Sequence, residues 1–151
     1  MGLFDALEVS ASALTAERLR MDVTAENLAN AESSRGANGG PYRRKEVILA
    51  EAASRQDFGS RLSVAMGSGV RDSSAPNGVE VAAIAEDARP PRMVYDPGHP
   101  DADPRGYVAM PNVDSVTEMV DLISSSRSYE ANVTAMQASK QMFTRTLDLL
   151  R

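Results

Sequence analysis

The chain offers few residues whose types and spacing could support acid–base or metal chemistry. His99 is the only histidine, it lies in Pro97-Gly98-His99-Pro100, and the sequence contains no cysteine. One histidine can act as a base or a ligand, but no second histidine or cysteine exists to share a metal ion. We therefore interpret His99 as a turn residue and predict no catalytic residue, no metal site and no cofactor.

The acidic segment after His99 resembles a calcium-binding loop only in part. Asp101 and Asp103 place carboxylate oxygens at the first and third positions, and Gly106 stands at the sixth. The fifth position is Arg105, and the twelfth is Asn112, where such a loop needs a bidentate glutamate. A proline-rich turn capped by carboxylates is the better interpretation of this segment.

Two further patterns are too short to indicate a nucleotide or nucleic-acid site. Gly67-Ser68-Gly69 lacks the third glycine of a dinucleotide fingerprint, since Ser73 and Ser74 follow it. Arg43-Arg44-Lys45 is a cluster of three basic residues, which we interpret as the solvated start of a strand. The net charge of -5, the aromatic content of 5% and the absence of tryptophan also argue against nucleic-acid binding.

An apolar stripe predicts a long N-terminal helix. Leu7, Leu14, Met21 and Leu28 recur every seven residues, and no proline occurs between residues 3 and 31. Sustained heptads of this kind are typical of a coiled-coil seam. At about 1.5 Å per residue, the helix would be roughly 40 Å long. It should end before residues 33–41, where glycine, asparagine and proline predict a mobile loop.

A second stripe predicts a longer C-terminal helix, from Asp114 to the end of the chain. Its start matches a capping box at Ser115-Val116-Thr117-Glu118. Two positions near the stripe, Ser126 and Lys140, are polar and would weaken a simple two-stranded seam. The seven-residue series is Leu122, Tyr129, Met136, Phe143 and Leu150, with Met119, Val133 and Leu147 at the positions three residues before it. The helix would be roughly 50 Å or more in length.

Between the two helices, the pattern predicts a small β-rich middle. Strand-like runs occur at residues 46–50, 61–66, 79–85 and 92–95, and prolines and glycines separate them. The predicted fold class is therefore α+β. The predicted domains are a coiled-coil helix at 1–31, a Gly/Ser loop at 32–41, the β-rich middle at 42–112 and a second coiled-coil helix at 113–151. We expect the two helices to pack antiparallel and their remaining apolar surface to contact neighbouring chains.

The N-terminus predicts neither a membrane anchor nor a cleaved signal. No apolar run approaches the roughly 20 residues that a membrane helix needs. The opening sequence MGLFDALEVS carries Asp5 and Glu8 and no basic residue, unlike a secretory signal peptide. We predict no direct membrane insertion, and we expect any export of the chain to proceed without cleavage.

Motifs in both helices resemble the flagellar axial proteins, which are the rod, hook and hook-associated subunits of the bacterial flagellum. Asn27-Leu28-Ala29-Asn30-Ala31 resembles their asparagine-rich N-terminal signature. Segment 126–132, followed by 140–142 and 147–149, resembles their C-terminal signature. In the middle, segments 39–44, 94–102, 106–108 and 111–114 resemble the proximal rod members of that family.

The resemblance implies a structural subunit of the proximal rod in the periplasm, polymerising through its terminal helices as part of the drive shaft for motility. The partners it implies are other copies of the chain, other rod subunits, the adapter protein at the membrane ring and the flagellar type III export apparatus. In this reading the amides of Asn27, Asn30 and Asn132 fix register in an apolar seam. The predicted assembly interface comprises Leu7, Leu14, Met21, Asn27, Leu28, Asn30, Met119, Leu122, Tyr129, Asn132, Val133, Met136, Phe143, Leu147 and Leu150.

Two alternatives remain open from the sequence. The chain could be another axial subunit, although the motifs in its middle argue against this. It could instead be a coiled-coil adaptor, which would form a closed, soluble complex of fixed stoichiometry. An enzyme would need a cluster of polar catalytic groups, and the sequence offers only His99 and scattered carboxylates, so no enzymatic activity is predicted.

Overall fold

The structure of the chain is a computed structural model, and it describes residues 3–36, 39–52 and 78–149. The described elements are, in chain order, α1 (Leu3–Ala29), β1 (Lys45–Glu51), β2 (Val79–Glu86), β3 (Arg92–Tyr95), β4 (Tyr107–Met110) and α2 (Ser115–Leu149). Long helices at both ends of a β-containing middle confirm the predicted α+β class. Within the described residues, no helix has the length and apolarity needed to cross a membrane.

Three of the four predicted strands match described strands. The runs at 46–50, 79–85 and 92–95 correspond to β1, β2 and β3. The run at 61–66 lies outside the described residues. Strand β4 was not predicted, because its four residues directly follow a long segment rich in proline and glycine, which indicates a loop.

Strands β1 and β2 form an antiparallel ribbon that packs on α1. Their register runs from Lys45 opposite Glu86 to Glu51 opposite Val79. The ribbon approaches α1 closely where β2 begins, because the Val79 amide donates a 3.0 Å hydrogen bond to Ser12 Oγ. A Cβ atom added to Gly78 would lie 2.2 Å from that oxygen, so this approach requires glycine.

Strands β3 and β4 form a separate antiparallel hairpin around a long loop. Tyr95 pairs with Tyr107 at the loop end, and their rings meet edge to face at 5.3 Å between centroids. The loop closes at Gly106, whose φ of 77° is a conformation that suits glycine. Val108 of β4 is fully buried and anchors the hairpin in the core.

Helices α1 and α2 contact each other and run in opposite directions. Near the end of α1, Asn27 is hydrogen-bonded to Glu118 in the first turn of α2. The helices have 27 and 35 residues, which corresponds to about 40 and 52 Å at 1.5 Å per residue. The end of α1 therefore lies level with the start of α2, and α2 is the longer of the two.

The side of α2 that faces α1 differs from the predicted stripe at single positions of both series. In the seven-residue series, Leu122, Tyr129 and Met136 are half-buried, whereas Phe143 is exposed. In the second series, however, Met119 is 47% exposed, whereas its neighbour Glu118 is 1% exposed. Positions 118, 122, 125, 129, 132, 136 and 139 are buried or half-buried at a spacing of four and three, and positions 115, 121, 126, 128 and 133 are half-buried as well. The polar partners of Glu118 explain why it is buried instead of the methionine.

The predicted capping box at the start of α2 is wrong. Asp114, one residue earlier, caps the helix: its Oδ1 accepts the Val116 amide at 3.1 Å and its Oδ2 accepts the Thr117 hydroxyl at 2.8 Å. These hydrogen bonds lower the pKa of the Asp114 carboxyl, and the hydrogen bond from the Thr117 hydroxyl has the largest effect. Glu118 does not serve the cap, because both of its carboxylate oxygens are bound elsewhere in the chain.

Candidate functional site

Asn27 is the centre of a polar junction that joins α1, β1 and α2. Its Nδ2 donates to the Lys45 carbonyl at 2.8 Å and to Glu118 Oε2 at 3.1 Å. Its Oδ1 accepts from the Tyr42 hydroxyl and from the Lys45 amide, each at 2.9 Å. A side-chain amide has two donor hydrogens and two acceptor lone pairs, so Asn27 uses its full hydrogen-bonding capacity inside the chain. It is 1% exposed, and replacing it would leave several buried groups without a partner.

Glu118 carries the negative charge of this junction, and Arg44 neutralises it. Arg44 Nε donates to Glu118 Oε1 at 2.6 Å, while the other carboxylate oxygen accepts from Asn27. Arg44 also lies 3.7 Å from Asp121 and 3.8 Å from Glu46. Burial lowers the pKa of Arg44, but the hydrogen bond and charge of Glu118 outweigh it, and the net pKa is raised. A buried carboxylate is tolerable here because it is both paired and hydrogen-bonded.

Tyr42 completes the junction from the segment before β1. Burial, followed by the charges of Glu26, Glu118 and Glu86, raises the pKa of its hydroxyl to about 12. The hydroxyl therefore stays protonated and continues to donate to Asn27 throughout the physiological pH range. These hydrogen bonds fix the end of α1 relative to the start of α2.

A second polar contact ties the loop after α1 to the β3–β4 loop. Both carboxylate oxygens of Asp101 are engaged, one by an ion pair with Arg35 and the other by the Ser34 hydroxyl at 2.9 Å. His99 shapes the same loop, because its Nδ1 accepts the Asp101 amide at 3.1 Å. His99 is thus a turn residue in the structure, as its sequence context predicts. Within the described residues, no group of three or more His, Asp or Glu side chains could hold a metal ion.

The predicted assembly residues differ in their burial, and one of them lies outside the described residues. Asn27 is buried at the junction; Met119, Phe143 and Leu147 are exposed; and Leu150 lies outside the described residues. The half-buried members are Leu7, Leu14, Met21, Leu28, Asn30, Leu122, Tyr129, Asn132, Val133 and Met136. Asn30 bonds locally, to the Glu26 carbonyl at 2.9 Å and to the Ser33 hydroxyl at 3.2 Å. Contact of these residues with a neighbouring subunit stays a prediction.

The structure also reveals an exposed apolar surface, of which the heptad analysis identified only Met119. We call it the outer stripe: Val116, Met119, Val120 and Ile123 are 67%, 47%, 59% and 53% exposed. Their spacing of three, four and seven residues places them on one side of α2. The same spacing is present in the sequence, but the seven-residue series that begins at Leu122 is longer and lies on the other side of the helix.

Both ends of the chain match family models. Residues 7–35 match the family described as "Flagella basal body rod protein". Residues 105–149 match the family described as "Flagellar basal body rod FlgEFG protein C-terminal". The two matched segments contain most of α1 and all of α2, together with β4, so they include both sides of the junction between Asn27 and Glu118.

Curated relatives are similar over the whole chain. The flagellar basal-body rod protein FlgC of Bacillus subtilis (strain 168) is 52% identical over 154 residues, covering 99% of this chain and 99% of the relative. The protein of the same name from Borreliella burgdorferi is 44% identical and covers 100% of this chain and 99% of the relative. That of Escherichia coli O157:H7 is 43% identical and covers 99% and 98%.

Proposed function

The chain belongs to the FlgC family of flagellar basal-body rod proteins, and we propose that it builds the proximal part of that rod by polymerising through α1 and α2. As a member of the family, it is a structural subunit of the basal-body rod and is located there. What we propose is that α1 and α2 form the contacts between neighbouring subunits of the rod.

The exposed apolar surface of α2 carries this proposal. A two-helix unit buries only one side of each helix, and here the outer stripe remains exposed on α2. Apolar helical surface of this kind is normally covered by another helix. An open assembly, in which each subunit offers its exposed helix surface to the next, would bury it in every subunit except those at the ends.

The junction around Asn27 supports the same proposal from within the subunit. It holds α1 and α2 in a defined register before any neighbour binds, so each subunit presents the same surface to the lattice. We infer that the helix pair forms an antiparallel coiled coil and that coiled coils of neighbouring subunits pack side by side around the rod axis. The middle strands would then lie outside this helical layer.

The remaining partners follow from the rod assignment. We propose contacts with other copies of the chain, with other rod subunits and with the adapter protein at the membrane ring. We also propose that the chain leaves the cytoplasm through the flagellar type III export apparatus without signal cleavage.

The proposal is tested by returning the gene to a strain that lacks it and isolating basal bodies. We expect the chain in the rod fraction, at the membrane-proximal end by immunogold labelling, together with restored swimming. A chain that is recovered only in a soluble complex of fixed stoichiometry, in cells that complete their rods without it, would identify an adaptor and overturn the proposal.

A further inference from the structure

The outer face of the β3–β4 hairpin is apolar, aromatic and exposed. Side chains alternate between the two faces of a strand, so Val94 and Val108 share the inner face, where Val108 is fully buried. Met93, Tyr95 and Tyr107 lie on the opposite face and are 52%, 65% and 42% exposed. We call these three residues the tyrosine face. A cluster of large exposed apolar side chains is typical of a surface that another chain covers.

The two tyrosine rings are held in place although they are exposed. They meet edge to face at 5.3 Å between centroids. A Cβ atom added to Gly106 would lie 2.8 Å from Tyr95 Cε2, so this ring rests against the loop at Gly106. A fixed aromatic ring loses little conformational freedom when a partner binds. The tyrosine face is therefore a preformed surface onto which a flat apolar group can pack.

The loop beside the tyrosine face carries more negative than positive charge. The charged residues of this loop, which spans residues 96–106, are Asp96, Asp101, Asp103 and Arg105, with histidine neutral at pH 7. Asp101 is neutralised by its ion pair with Arg35. Asp96 and Asp103 are exposed, so two carboxylates remain against one guanidinium. The tyrosine face therefore favours an apolar partner that also carries a cation.

The chain itself contains a segment with this chemistry at residues 88–92, which we call the proline segment. It reads Ala-Arg-Pro-Pro-Arg, it leads from β2 into β3, and all five residues are exposed. Two consecutive prolines favour the extended polyproline II conformation, which aromatic-lined surfaces recognise. On one side, a cavity of about 730 Å³ lies between these prolines and Tyr42. The proline rings are therefore open to a partner.

The arginines that flank the two prolines give the segment its positive charge. Arg89 is paired with Asp87 of its own chain, through its Nε at 2.6 Å from Oδ2. Arg92 is exposed and supplies the net charge of +1 that residues 87–92 carry. A guanidinium beside prolines can lie over an aromatic ring or bind a carboxylate. The proline segment and the tyrosine face are thus complementary in both shape and charge.

The proline segment cannot cover the tyrosine face of its own chain. Arg92 pairs with Met110 and Tyr95 pairs with Tyr107, at opposite ends of the hairpin. At about 3.3 Å per residue, Pro91 lies roughly 13 Å from Tyr95 along the strand. The segment therefore reaches this face only in another copy.

We infer that the tyrosine face of one subunit packs on the proline segment of a second copy of this chain. The inference rests on the proposed polymerisation and adds a contact between the middle parts of neighbouring subunits. The two surfaces differ, so the contact does not close on itself and can repeat along the assembly. It buries on the order of a few hundred Å² per partner, below the roughly 800 Å² of a stable pair. The contact therefore forms in the assembled rod and not between free subunits.

Photo-crosslinking in isolated basal bodies tests this contact. The probe is p-benzoylphenylalanine in place of Tyr95, which keeps an aromatic ring there, in a strain that lacks the gene. After irradiation we expect dimers and longer products on a denaturing gel, with the cross-link located by mass spectrometry in residues 88–92 of a second copy. The same probe in place of Ala88 tests the contact from the other side and leaves both tyrosines and both prolines intact. It should cross-link to residues 93–107.

The matched control places the probe at Ile48, an exposed apolar residue of β1, and should give no cross-link to residues 88–92. Adding Pro90→Ala/Pro91→Ala to the Tyr95 probe should lower the dimer yield by roughly fivefold, because the flat proline rings are lost.

An unchanged yield in that variant would overturn the inference. So would a cross-link only to a different protein or to another segment, or rods that contain the probes at Tyr95 and Ala88 without any cross-link. If the unsubstituted chain is itself absent from rods, the proposed function fails. If the chain is present in rods and the cross-links are absent, only this contact fails.

Discussion

Asn27 and Glu118 lie 91 residues apart in sequence and are joined by a 3.1 Å hydrogen bond, with each side chain 1% exposed. The contact connects the end of α1 to the start of α2, and Arg44 and Tyr42 extend it to the segment that leads into β1. Three parts of the fold therefore share one small polar cluster. Because buried polar groups are costly when unpaired, this cluster disfavours any other register of the two helices.

Replacing Asn27 by alanine should destabilise the chain strongly. The change removes four hydrogen bonds and leaves Glu118 and the Lys45 backbone groups under-satisfied, so we expect a loss of about 2–4 kcal/mol. Urea unfolding followed by circular dichroism measures it. Asn30→Ala is the control: its two contacts are local, and its loss should be about 1 kcal/mol or less. Equal losses for the two variants would contradict the central role of Asn27.

Gly78→Ala should weaken the attachment of the β1–β2 ribbon to α1. The added Cβ would lie 2.2 Å from Ser12 Oγ and 2.9 Å from Ser12 Cβ, so either the strand or the helix must move. Such overpacking costs about 1–3 kcal/mol, measurable by thermal unfolding. Gly40→Ala is the control, because a Cβ there meets no atom within 4 Å and its φ is not positive. Unchanged stability of Gly78→Ala would show that the ribbon is not held at this point.

Tyr42 should make stability decline at alkaline pH. Its pKa is about 12 in the folded chain and 10.0 ordinarily, so the fold favours the protonated hydroxyl. That contribution is fully present below about pH 10 and is lost as the pH rises from 10 through 12. We expect unfolding free energies of the natural chain to fall over this window more steeply than those of Tyr42→Phe, which has no hydroxyl to ionise. If the unfolding free energies of the two chains fall in parallel as the pH rises, the Tyr42 hydroxyl does not lie in the buried junction.

The sequence was sufficient to predict the two helices but not the junction that aligns them. The heptads at Leu7 and Leu122 fix a period, and a period identifies a helix from local residues alone. The partners of Glu118 come from residues 27 and 44, and no local pattern relates positions so far apart. From the sequence, Glu118 was therefore assigned to a capping box, although Asp114 is the residue that caps the start of α2.

The exposed apolar surface of α2 could not be predicted from the sequence for a related reason. Val116 and Ile123 are as apolar as Leu122, so the start of α2 has hydrophobic residues on two sides. Which side faces α1 depends on the burial of Glu118 and Ser125, which is a tertiary effect. Asn27 was singled out from its motif, but its bonds to Tyr42 and Lys45 could be found only from the fold.

His99→Ala should have little effect on assembly. The imidazole Nδ1 accepts one backbone hydrogen bond, from Asp101, and the ring is half-buried in a loop. We expect a loss of about 1 kcal/mol or less in urea unfolding and normal swimming in a complemented strain. His99→Asn, whose carbonyl can accept the same amide, should recover part of the loss. Abolished motility with a folded, exported His99→Ala chain would point to a role for the imidazole beyond the turn.

Met136→Asp should prevent rod formation by disrupting the helix pair. Met136 is half-buried in the stripe that faces α1, level with the early turns of that helix. A carboxylate there loses the apolar contacts of methionine and is partly desolvated, which together cost a few kcal/mol. The first measurement is urea unfolding of the purified variant, which should show this loss before any assembly is considered. Electron microscopy of basal bodies should then show no complete rod.

The control for this last change is Gln137→Asp, one residue further along. Gln137 is exposed, so the same charge is introduced with the side chain in water. Its unfolding free energy should change by less than about 0.5 kcal/mol. Swimming in soft agar should be close to normal if Gln137 is outside the subunit contacts. If both variants unfold and assemble like the natural chain, Met136 does not lie in a helix contact and the seven-residue series from Leu122 has been misassigned.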